Sequence, residues 1–182
     1  LLCGRAGTPM IHITTDCAFS GRRGNYSETD ILDAEDLYGI SKIAGETKDC
    51  MTLRTSIIGP EKNSNRSLLS WAISRKGKSA NGYTNHFWNG VTTLHFTKIV
   101  EDIMLKGLYE KGLFHISSPD KMSKYEMLSL FNDIFSLGIT ITPAEADEFC
   151  DRTLTSVYPL SQKISGFTIT QQVKELKEFF SL

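Results

Sequence analysis

The sequence predicts an α/β fold in which short buried strands alternate with helices. Two observations support this class. Apolar runs at 10–13 and 51–58 have the length of buried strands and are followed by polar or turn-forming residues. Elsewhere, at 99–108 and 127–135, apolar residues recur at helical spacing. This combination is typical of a sheet covered by packed helices.

The first predicted strand, at 10–13, is followed by Thr14, Thr15 and Asp16. Two hydroxyls and a carboxylate are therefore expected at its carboxyl end, which is where ligands bind in open α/β sheets. A polar loop with several glycines, 17–30, then leads to a predicted helix that carries Tyr38. We therefore expect the first candidate site between this strand end and this helix.

Tyr38 and Lys42 stand four positions apart on the predicted helix, so their side chains share one face at a separation of about 5–6 Å. An ammonium beside a phenol favours the phenolate and lowers the pKa of the phenol from its usual value near 10. Such a phenol can exchange a proton with a substrate, which makes the pair a candidate acid/base unit. The alternative is an ordinary helix on which the ring packs beside the lysine stem.

The remaining segments predict a scaffold. Residues 51–58 form a strand stopped by Gly59 and Pro60. The other predicted elements are a helix at 67–73, a helix at 99–108, a strand at 112–117, a helix at 127–135 that begins with a capping box of Ser123 and Glu126, a short strand at 139–141 and a terminal helix at 173–180. His12, His95 and His115 lie in strand-like runs, where a structural role is expected.

The stretch 82–90 is rich in aromatic and amide side chains. Aromatic rings offer apolar surfaces and amides offer paired hydrogen bonds, so this stretch suits a pocket for a sugar and a base. A packed surface loop is the alternative. His86 lies within the stretch but is not needed as a proton donor if Tyr38 fills that role.

Composition excludes several classes of function. With 182 residues, 40% hydrophobic and 23% charged residues and a formal net charge of -1, the chain has no basic field for nucleic acid. It has no apolar run long enough for a membrane span and no signal-peptide pattern, so we expect a cytoplasmic protein without a membrane partner. The cysteines at 3, 17, 50 and 150 form no C-x-x-C pair, which predicts reduced thiols and no metal site.

These segments resemble the extended short-chain dehydrogenase/reductase superfamily and, within it, the dTDP-4-dehydrorhamnose reductase family. The residues that carry the resemblance are His12, Thr14, Thr15, Asp16, Phe19, Gly21, Tyr26, Glu28, Asp30, Tyr38, Gly39, Ser41, Lys42, Gly45, Glu46, 53–59, 90–94, 112–117, 150–152 and Ser156. The resemblance implies a partial Rossmann-like, NAD(P)-binding parallel sheet over 1–60 that includes the Tyr38 helix. It also implies a smaller α/β substrate-binding lobe over 61–182, with some segments returning to the first sheet.

The resemblance also implies roles for individual residues. Thr15 would orient a carbonyl oxygen, Tyr38 would protonate it, and Lys42 would tune the phenol and hold the nicotinamide ribose. The implied cofactor-binding residues are Tyr38, Lys42, Thr55 and Ser56, and the implied substrate-binding residues are Phe19, Asn85, Trp88 and Arg152. Weaker substrate candidates are Asn63, Asn65, Arg66 and Ser156. For Arg54, a structural ion pair and a phosphate ligand remain equal alternatives.

The implied function is reduction of a 4-keto nucleotide sugar by NADPH or NADH, in nucleotide-sugar and polysaccharide biosynthesis. The sequence contains no glycine-rich phosphate-binding turn. We therefore expect it to be the C-terminal part of a longer protein, or to lack the nucleotide-binding half, and to be inactive alone.

Two alternatives remain open. One is a non-catalytic nucleotide-sugar or NAD(P)-binding subunit, like the regulatory beta subunit of methionine adenosyltransferase in the same branch. The other is a nucleotide-sugar epimerase. A dehydratase is less favoured because Asp16 is followed by Cys17 and not by a second carboxylate. The expected partner is a nucleotide sugar, and a homodimer is left open.

Overall fold

The structure is a computed structural model that describes residues 2–62, 66–164 and 166–180. In chain order the elements are α1 (Leu2–Arg5), β1 (Ile11–Thr15), a 3₁₀ turn (Asp16–Ala18), α2 (Leu37–Gly45), β2 (Met51–Thr55), β3 (Ile57–Ile58), α3 (Leu68–Ser74), β4 (Ser79–Tyr83), β5 (His86–Trp88), β6 (Val91–Thr92), α4 (Thr93–Leu105), β7 (Gly112–Ile116), β8 (Met122–Ser123), α5 (Lys124–Phe135), β9 (Thr140–Ala144), β10 (Cys150–Asp151), α6 (Pro159–Ile164) and α7 (Ile169–Phe180).

The principal sheet has three parallel strands in the order β1, β2, β7. Its register aligns Thr15 with Thr55 and Thr55 with Ile116, so the carboxyl ends of the three strands lie at one edge. β1 has only β2 as a ladder partner among the described strands.

The two faces of the principal sheet differ in chemistry because successive side chains of a strand point to opposite sides. On one face, Leu53 and Phe114 belong to an apolar cluster that α4 covers with Phe96 and Ile99. On the other face, the register places Arg54 beside His115. Every residue of β2 is buried, so the polar face is covered as well.

Three shorter sheets build the remainder of the described chain. β10, β5 and β8 form one, β4 pairs with β9, and β3 pairs with β6. The largest apolar cluster lies among α3, α5 and α7, with Leu69, Phe131 and Leu176 fully buried. A small third cluster joins the loop after β1 to the segment after β10 through Phe19, Tyr26 and Leu154.

Most local predictions are confirmed. The structure has the predicted α/β class, the strands β1, β2 and β7, and the capping box of Ser123 and Glu126. Two details differ. The strand predicted at 51–58 is interrupted at Ser56, and His95 lies on α4. The stretch 82–90 contains the end of β4 and all of β5, and the pocket predicted there stays a prediction. The proposed division at residue 60 stays a prediction.

Within the described ranges, no helix has both the length and the apolar character needed to cross a membrane. In the same part of the chain, no group of three or more His, Cys, Asp or Glu side chains is arranged to hold a metal ion.

Candidate active site

Thr15 is the last residue of β1 and also caps the 3₁₀ turn that follows. Its hydroxyl accepts a hydrogen bond from the backbone N–H of Cys17 at 3.1 Å and lies 3.1 Å from Oδ1 of Asp16. A threonine at this point can serve both purposes because its hydroxyl has one donor and two acceptor positions. The turn therefore holds the Thr15 side chain at the carboxyl edge of the sheet.

Asp16 is the buried carboxylate of the site, with 7% of its surface exposed. Its oxygens face the hydroxyls of Thr15 and Ser56 and the thiol of Cys17, which lies 3.8 Å from Oδ1. Burial raises the pKa of Asp16 above its ordinary value of 3.8, and this exceeds the lowering by those donors and by the Arg152 guanidinium. Asp16 thus connects the ends of β1 and β2.

Helix α2 packs directly against the turn after β1. Asp36 caps the helix by accepting from the backbone N–H of Gly39 at 2.7 Å. A Cβ atom on Gly39 would lie 2.3 Å from the backbone oxygen of Cys17, so only glycine permits this approach. Because Tyr38 directly precedes Gly39, the contact brings the tyrosine helix to the Thr15 end of the sheet.

The structure brings Tyr38 and Lys42 together. Nζ of Lys42 lies 5.5 Å from the centroid of the Tyr38 ring, on an exposed part of α2. Tyr38 is 54% exposed, so its ring is accessible to a ligand. Thr15 lies at the end of β1, and Tyr38 and Lys42 lie on the neighbouring helix α2. Their catalytic roles stay predictions.

Thr55 is the last residue of β2 and pairs with Thr15, and Ser56 follows it. Thr55 is 2% exposed, and its hydroxyl points towards the backbone oxygen of Ser56 at 3.4 Å, so it has almost no surface to offer a cofactor. Ser56 is half-buried, and its hydroxyl faces Asp16. Of the four predicted cofactor-binding residues, Tyr38 and Lys42 are exposed, whereas Thr55 lies beneath the surface.

Arg152 also lies at this turn. Its Nη1 donates to Sγ of Cys17 at 3.6 Å, and its positive charge lowers the pKa of Asp16 against the effect of burial. Its Nε atom is buried and has no hydrogen-bond partner among the described residues. The predicted diphosphate ligand is therefore next to the predicted catalytic threonine, with part of its donor capacity unused.

The segment that carries Arg152 is held by two carboxylates. Asp151 accepts from the backbone N–H of Thr153 at 3.0 Å and from its hydroxyl at 2.6 Å. At Gly24 a Cβ atom would lie 2.3 Å from that carboxylate, and the φ of +77° also favours glycine. Glu28 accepts from the hydroxyl of Ser156 at 2.5 Å, so this hydroxyl makes a structural contact. The substrate contact of Ser156 stays a prediction.

Three of the predicted substrate-binding residues have protein partners. Phe19 is completely buried and stacks on Tyr26 with ring centroids 4.2 Å apart, so it has no surface for direct contact with a sugar. The amide of Asn85 is paired with the backbone oxygen and N–H of Ala146 at 2.8 and 2.9 Å. Trp88 is half-buried and packs against the largest apolar cluster.

Arg54 forms a structural ion pair, which decides between its two alternatives. Its Nε and Nη2 donate to the two carboxylate oxygens of Glu46 at 3.0 and 2.5 Å, and its Nη1 lies 2.8 Å from Nε2 of His115. The guanidinium also lies 5.1 Å from the centroid of the Phe19 ring. With 2% exposure, Arg54 cannot serve as a phosphate ligand, so that alternative is wrong.

The structure gives little support to the weaker candidates for substrate contact. Asn63 and Asn65 lie outside the described residues. Arg66 is exposed, and its backbone N–H donates to Glu61 at 2.7 Å. A cavity of about 310 Å³ lies at the carboxyl end of β7. Its lining includes Ser117 and Thr155 but neither Tyr38 nor Lys42.

Sequence reasoning missed the role of Asp16 as a shared acceptor. The available signal was its position directly after Thr15 at a strand end, where a buried carboxylate needs donors nearby. The contact of Ser56 with Asp16 has no sequence signal, because it depends on the register of β1 and β2.

The family model that describes the RmlD substrate binding domain matches residues 1–158. The chain is similar to methionine adenosyltransferase 2 subunit beta of Danio rerio, with 28% identity over 144 residues, which cover 72% of this chain and 45% of that protein. It is also similar to dTDP-4-dehydrorhamnose reductase of Aggregatibacter actinomycetemcomitans, with 27% identity over 185 residues, which cover 91% and 63%. The chain spans about half the length of the curated relatives it matches.

Among solved structures, the chain resembles dTDP-4-dehydrorhamnose reductase of Bacillus anthracis str. Ames in complex with NADP. The TM-score is 0.76 and the identity 19%, with 98% of this chain and 67% of that chain covered. At this level of identity the likeness concerns the fold alone. It confirms the predicted α/β class with a Rossmann-like parallel sheet.

Proposed function

This chain belongs to the RmlD substrate binding domain family, and from that premise we propose that it carries the proton-donating residues and substrate lobe of an NAD(P)H-dependent reductase. The proposed substrate is a 4-keto nucleotide sugar of the dTDP-4-dehydrorhamnose type, used in nucleotide-sugar and polysaccharide biosynthesis. A relative and a structural neighbour bear the name dTDP-4-dehydrorhamnose reductase, which supports this choice of substrate.

The observation that carries the proposal is the position of the Tyr38 and Lys42 pair. The ammonium lies 5.5 Å from the centre of an accessible tyrosine ring, and their helix contacts the turn that Thr15 caps. The phenol and the ammonium are both open to solvent, so both can reach a ligand. This arrangement suits proton transfer to a ligand bound over the carboxyl edge of the sheet.

In the proposed mechanism, the Tyr38 hydroxyl gives its proton to the oxygen of the ketone as that oxygen becomes an alkoxide. Lys42 stabilises the tyrosinate that remains, since an adjacent positive charge favours the charged form of the phenol. Thr15 orients the carbonyl oxygen by a hydrogen bond, and Arg152 pairs with the diphosphate. Tyr38 and Thr15 act on the negative charge that develops at the ketone oxygen, and stabilising that charge in the transition state is what raises the rate.

A nicotinamide cofactor, when bound, supplies the hydride. The residues present fit this group in part. Tyr38 and Lys42 offer an exposed hydroxyl and ammonium suited to a ribose, and Ser56 is half-buried with its hydroxyl facing Asp16. Thr55 is too deeply buried to touch it and is proposed only as support for the pocket floor. NADPH and NADH are both retained as candidates.

The test is turnover of dTDP-4-dehydrorhamnose by the protein expressed from its complete coding sequence, followed by loss of reduced-nicotinamide absorbance with NADPH and with NADH. We expect Tyr38→Phe to lower kcat by about 10²- to 10⁴-fold, the usual contribution of a positioned acid. The free energy of unfolding should change by less than about 0.5 kcal/mol, because the hydroxyl is exposed. Tyr158→Phe is the matched control, since Tyr158 is 41% exposed and lies outside the site.

A second candidate is a non-catalytic binding subunit. The relative from Danio rerio is named as a subunit of methionine adenosyltransferase 2, which favours this alternative. It predicts binding of a nucleotide sugar or NAD(P) without turnover, and equal binding by Tyr38→Phe and the unmodified protein. That combination of results would replace the reductase proposal.

A further inference from the structure

The hydrogen bonds of the Thr15 hydroxyl have a consequence for the ligand. A threonine hydroxyl has one proton to donate and two lone pairs to accept with. One lone pair is taken by the backbone N–H of Cys17 at 3.1 Å. The contact with Oδ1 of Asp16, also at 3.1 Å, uses either the proton or the second lone pair.

Whether the Thr15 hydroxyl donates to Asp16 or accepts from it depends on whether Asp16 carries a proton. An ionised Asp16 can only accept, so Thr15 must donate its proton to Asp16 and keeps one lone pair for a ligand. A protonated Asp16 can donate to Thr15, whose own proton is then free for a ligand. The first arrangement recognises a hydroxyl, which donates, and the second recognises a ketone, which only accepts.

Building on the proposed function, we propose that Asp16 is a positioning residue that sets the direction of the Thr15 hydrogen bond. The site then binds the ketone preferentially when Asp16 is protonated and the alcohol preferentially when Asp16 is ionised. Asp16 does not touch the reacting atoms in this scheme. It acts through Thr15, and the preference between oxidised and reduced sugar follows from its protonation.

The surroundings of Asp16 allow both states. Burial favours the protonated form, whereas the Thr15 and Ser56 hydroxyls, the Cys17 thiol and the Arg152 guanidinium favour the ionised form. Two further titratable groups act on these neighbours: Asp36 on Cys17 and Arg152, and Cys150 on Arg152. Burial is the larger of these opposing contributions and raises the pKa of Asp16 above its ordinary value.

Proton uptake at Asp16 is therefore linked to the ligand. Ketone binding takes up a proton from solvent when Asp16 is ionised beforehand, and alcohol binding releases one when Asp16 is protonated. Where Asp16 titrates, the ratio of the two dissociation constants should change by up to about tenfold per pH unit, the limit for one proton. Outside that range the ratio should be constant.

The experiment measures dissociation constants of dTDP-4-dehydrorhamnose and dTDP-rhamnose across pH, with oxidised cofactor for the ketone and reduced cofactor for the alcohol to prevent turnover. It uses the protein from its complete coding sequence. The expected result is a ratio of the ketone constant to the alcohol constant that rises with pH in the unmodified protein. In Asp16→Asn, whose amide does not titrate, the ratio should be independent of pH. A ratio that keeps its pH dependence in Asp16→Asn would overturn the inference.

Three further variants remove reliance on a single substitution. Ser56→Ala removes a donor that favours ionised Asp16. The pH at which the ratio of dissociation constants changes should therefore move upward. If that pH is unchanged, the result counts against the inference. Thr15→Ser keeps the hydroxyl and should keep the pH dependence. Thr15→Val should abolish it although Asp16 is intact. A purely structural Asp16 would instead predict that both ligands weaken equally in every variant.

The two proposals fail differently. If the unmodified protein binds neither sugar and shows no turnover, the proposed function fails. If it binds both sugars and reduces the ketone, but with a ratio that does not change with pH, only the role of Asp16 fails.

Discussion

Two parts of helix α2 differ in environment although they belong to one nine-residue element. In the body of the helix, Tyr38 and Lys42 are both exposed and lie beside each other. At its end, Glu46 caps the helix and pairs with Arg54, with side-chain exposures of 8% and 2%. The first pair is available to a ligand, and the second is sealed within the protein.

This difference separates the residues expected to carry chemistry from those expected to hold the helix in place. A short helix is marginal alone and depends on tertiary contacts. In α2 only Gly39 is fully buried, so the contacts of Gly39 with Cys17 and of Glu46 with Arg54 fix the position of Tyr38. Changes at the buried contacts should therefore alter stability, and changes at the exposed pair of Tyr38 and Lys42 should alter activity.

The largest expected effect on stability is that of Arg54→Ala. It leaves the Glu46 carboxylate buried without its cation and removes the donor to His115, which should cost about 3–5 kcal/mol of unfolding free energy. The measurement is the urea unfolding midpoint. Lys106→Ala is the control, because its pair with Asp102 is exposed and is expected to contribute only about 0.3–0.5 kcal/mol. Equal losses in the two variants would contradict the distinction between buried and exposed pairs.

An intermediate effect is expected at the junction of the two regions. Gly39→Ala places a Cβ atom 2.3 Å from the Cys17 backbone oxygen, so α2 must move away from the turn. Overpacking of this kind should cost about 1–3 kcal/mol and should also lower turnover, since Tyr38 moves with the helix. The outcome that argues against this contact is a variant as active and as stable as the unmodified protein.

Gly45→Ala is the matched control for that substitution. Gly45 lies in the same helix, and a Cβ atom there meets nothing within 4 Å. Because alanine is the better helix former, we expect unchanged activity and a gain of up to about 1 kcal/mol in unfolding free energy.

The smallest effect is the pH dependence of the buried end. Burial lowers the pKa of His115 below its ordinary value of 6.5, and this exceeds the raising effect of the Glu28 carboxylate. The unfolded chain therefore binds more protons than the folded one as pH falls through 6.5, and the unfolding free energy should fall by at most about 1.4 kcal/mol per pH unit for this group. Urea unfolding between pH 7.5 and pH 5 (about the range of histidine titration) measures it.

His115→Gln should reduce that slope. His95 is also buried with a lowered pKa, so it contributes with the same sign and part of the slope should remain. If the double variant His115→Gln, His95→Gln shows no change of unfolding free energy with pH, the pH dependence is due to these two residues. A slope that persists in the double variant would show that other groups produce it.

Local features were predictable where they depend on nearby residues. The capping box of Ser123 and Glu126, the strand before Thr15 and the facing of Tyr38 and Lys42 all follow from spacing along the chain. His95 was placed in a strand-like run because a short apolar run does not distinguish a strand from a buried helix.

Contacts between distant segments were not predictable from spacing. Phe19 is aromatic and lies in the loop near the site, which made it a substrate candidate, but stacking on Tyr26 buries it. Arg54 had two equal interpretations, and only its proximity to Glu46 and His115 decided between them. The amide of Asn85 suggests a ligand contact from the sequence alone, but in the structure it pairs with the backbone of Ala146, 61 positions away.

The sequence by itself determined the α/β class, the helix face shared by Tyr38 and Lys42, and the hydroxyls at the end of β1, because each depends on residues a few positions apart. The tertiary structure decided which polar groups are enclosed and which are exposed. It brought Ser56 and Arg152 to Asp16, because strand register and the fold of the segment after β10 set those distances. The burial of a carboxylate, and hence its protonation, is a property of that assembly and not of any local pattern.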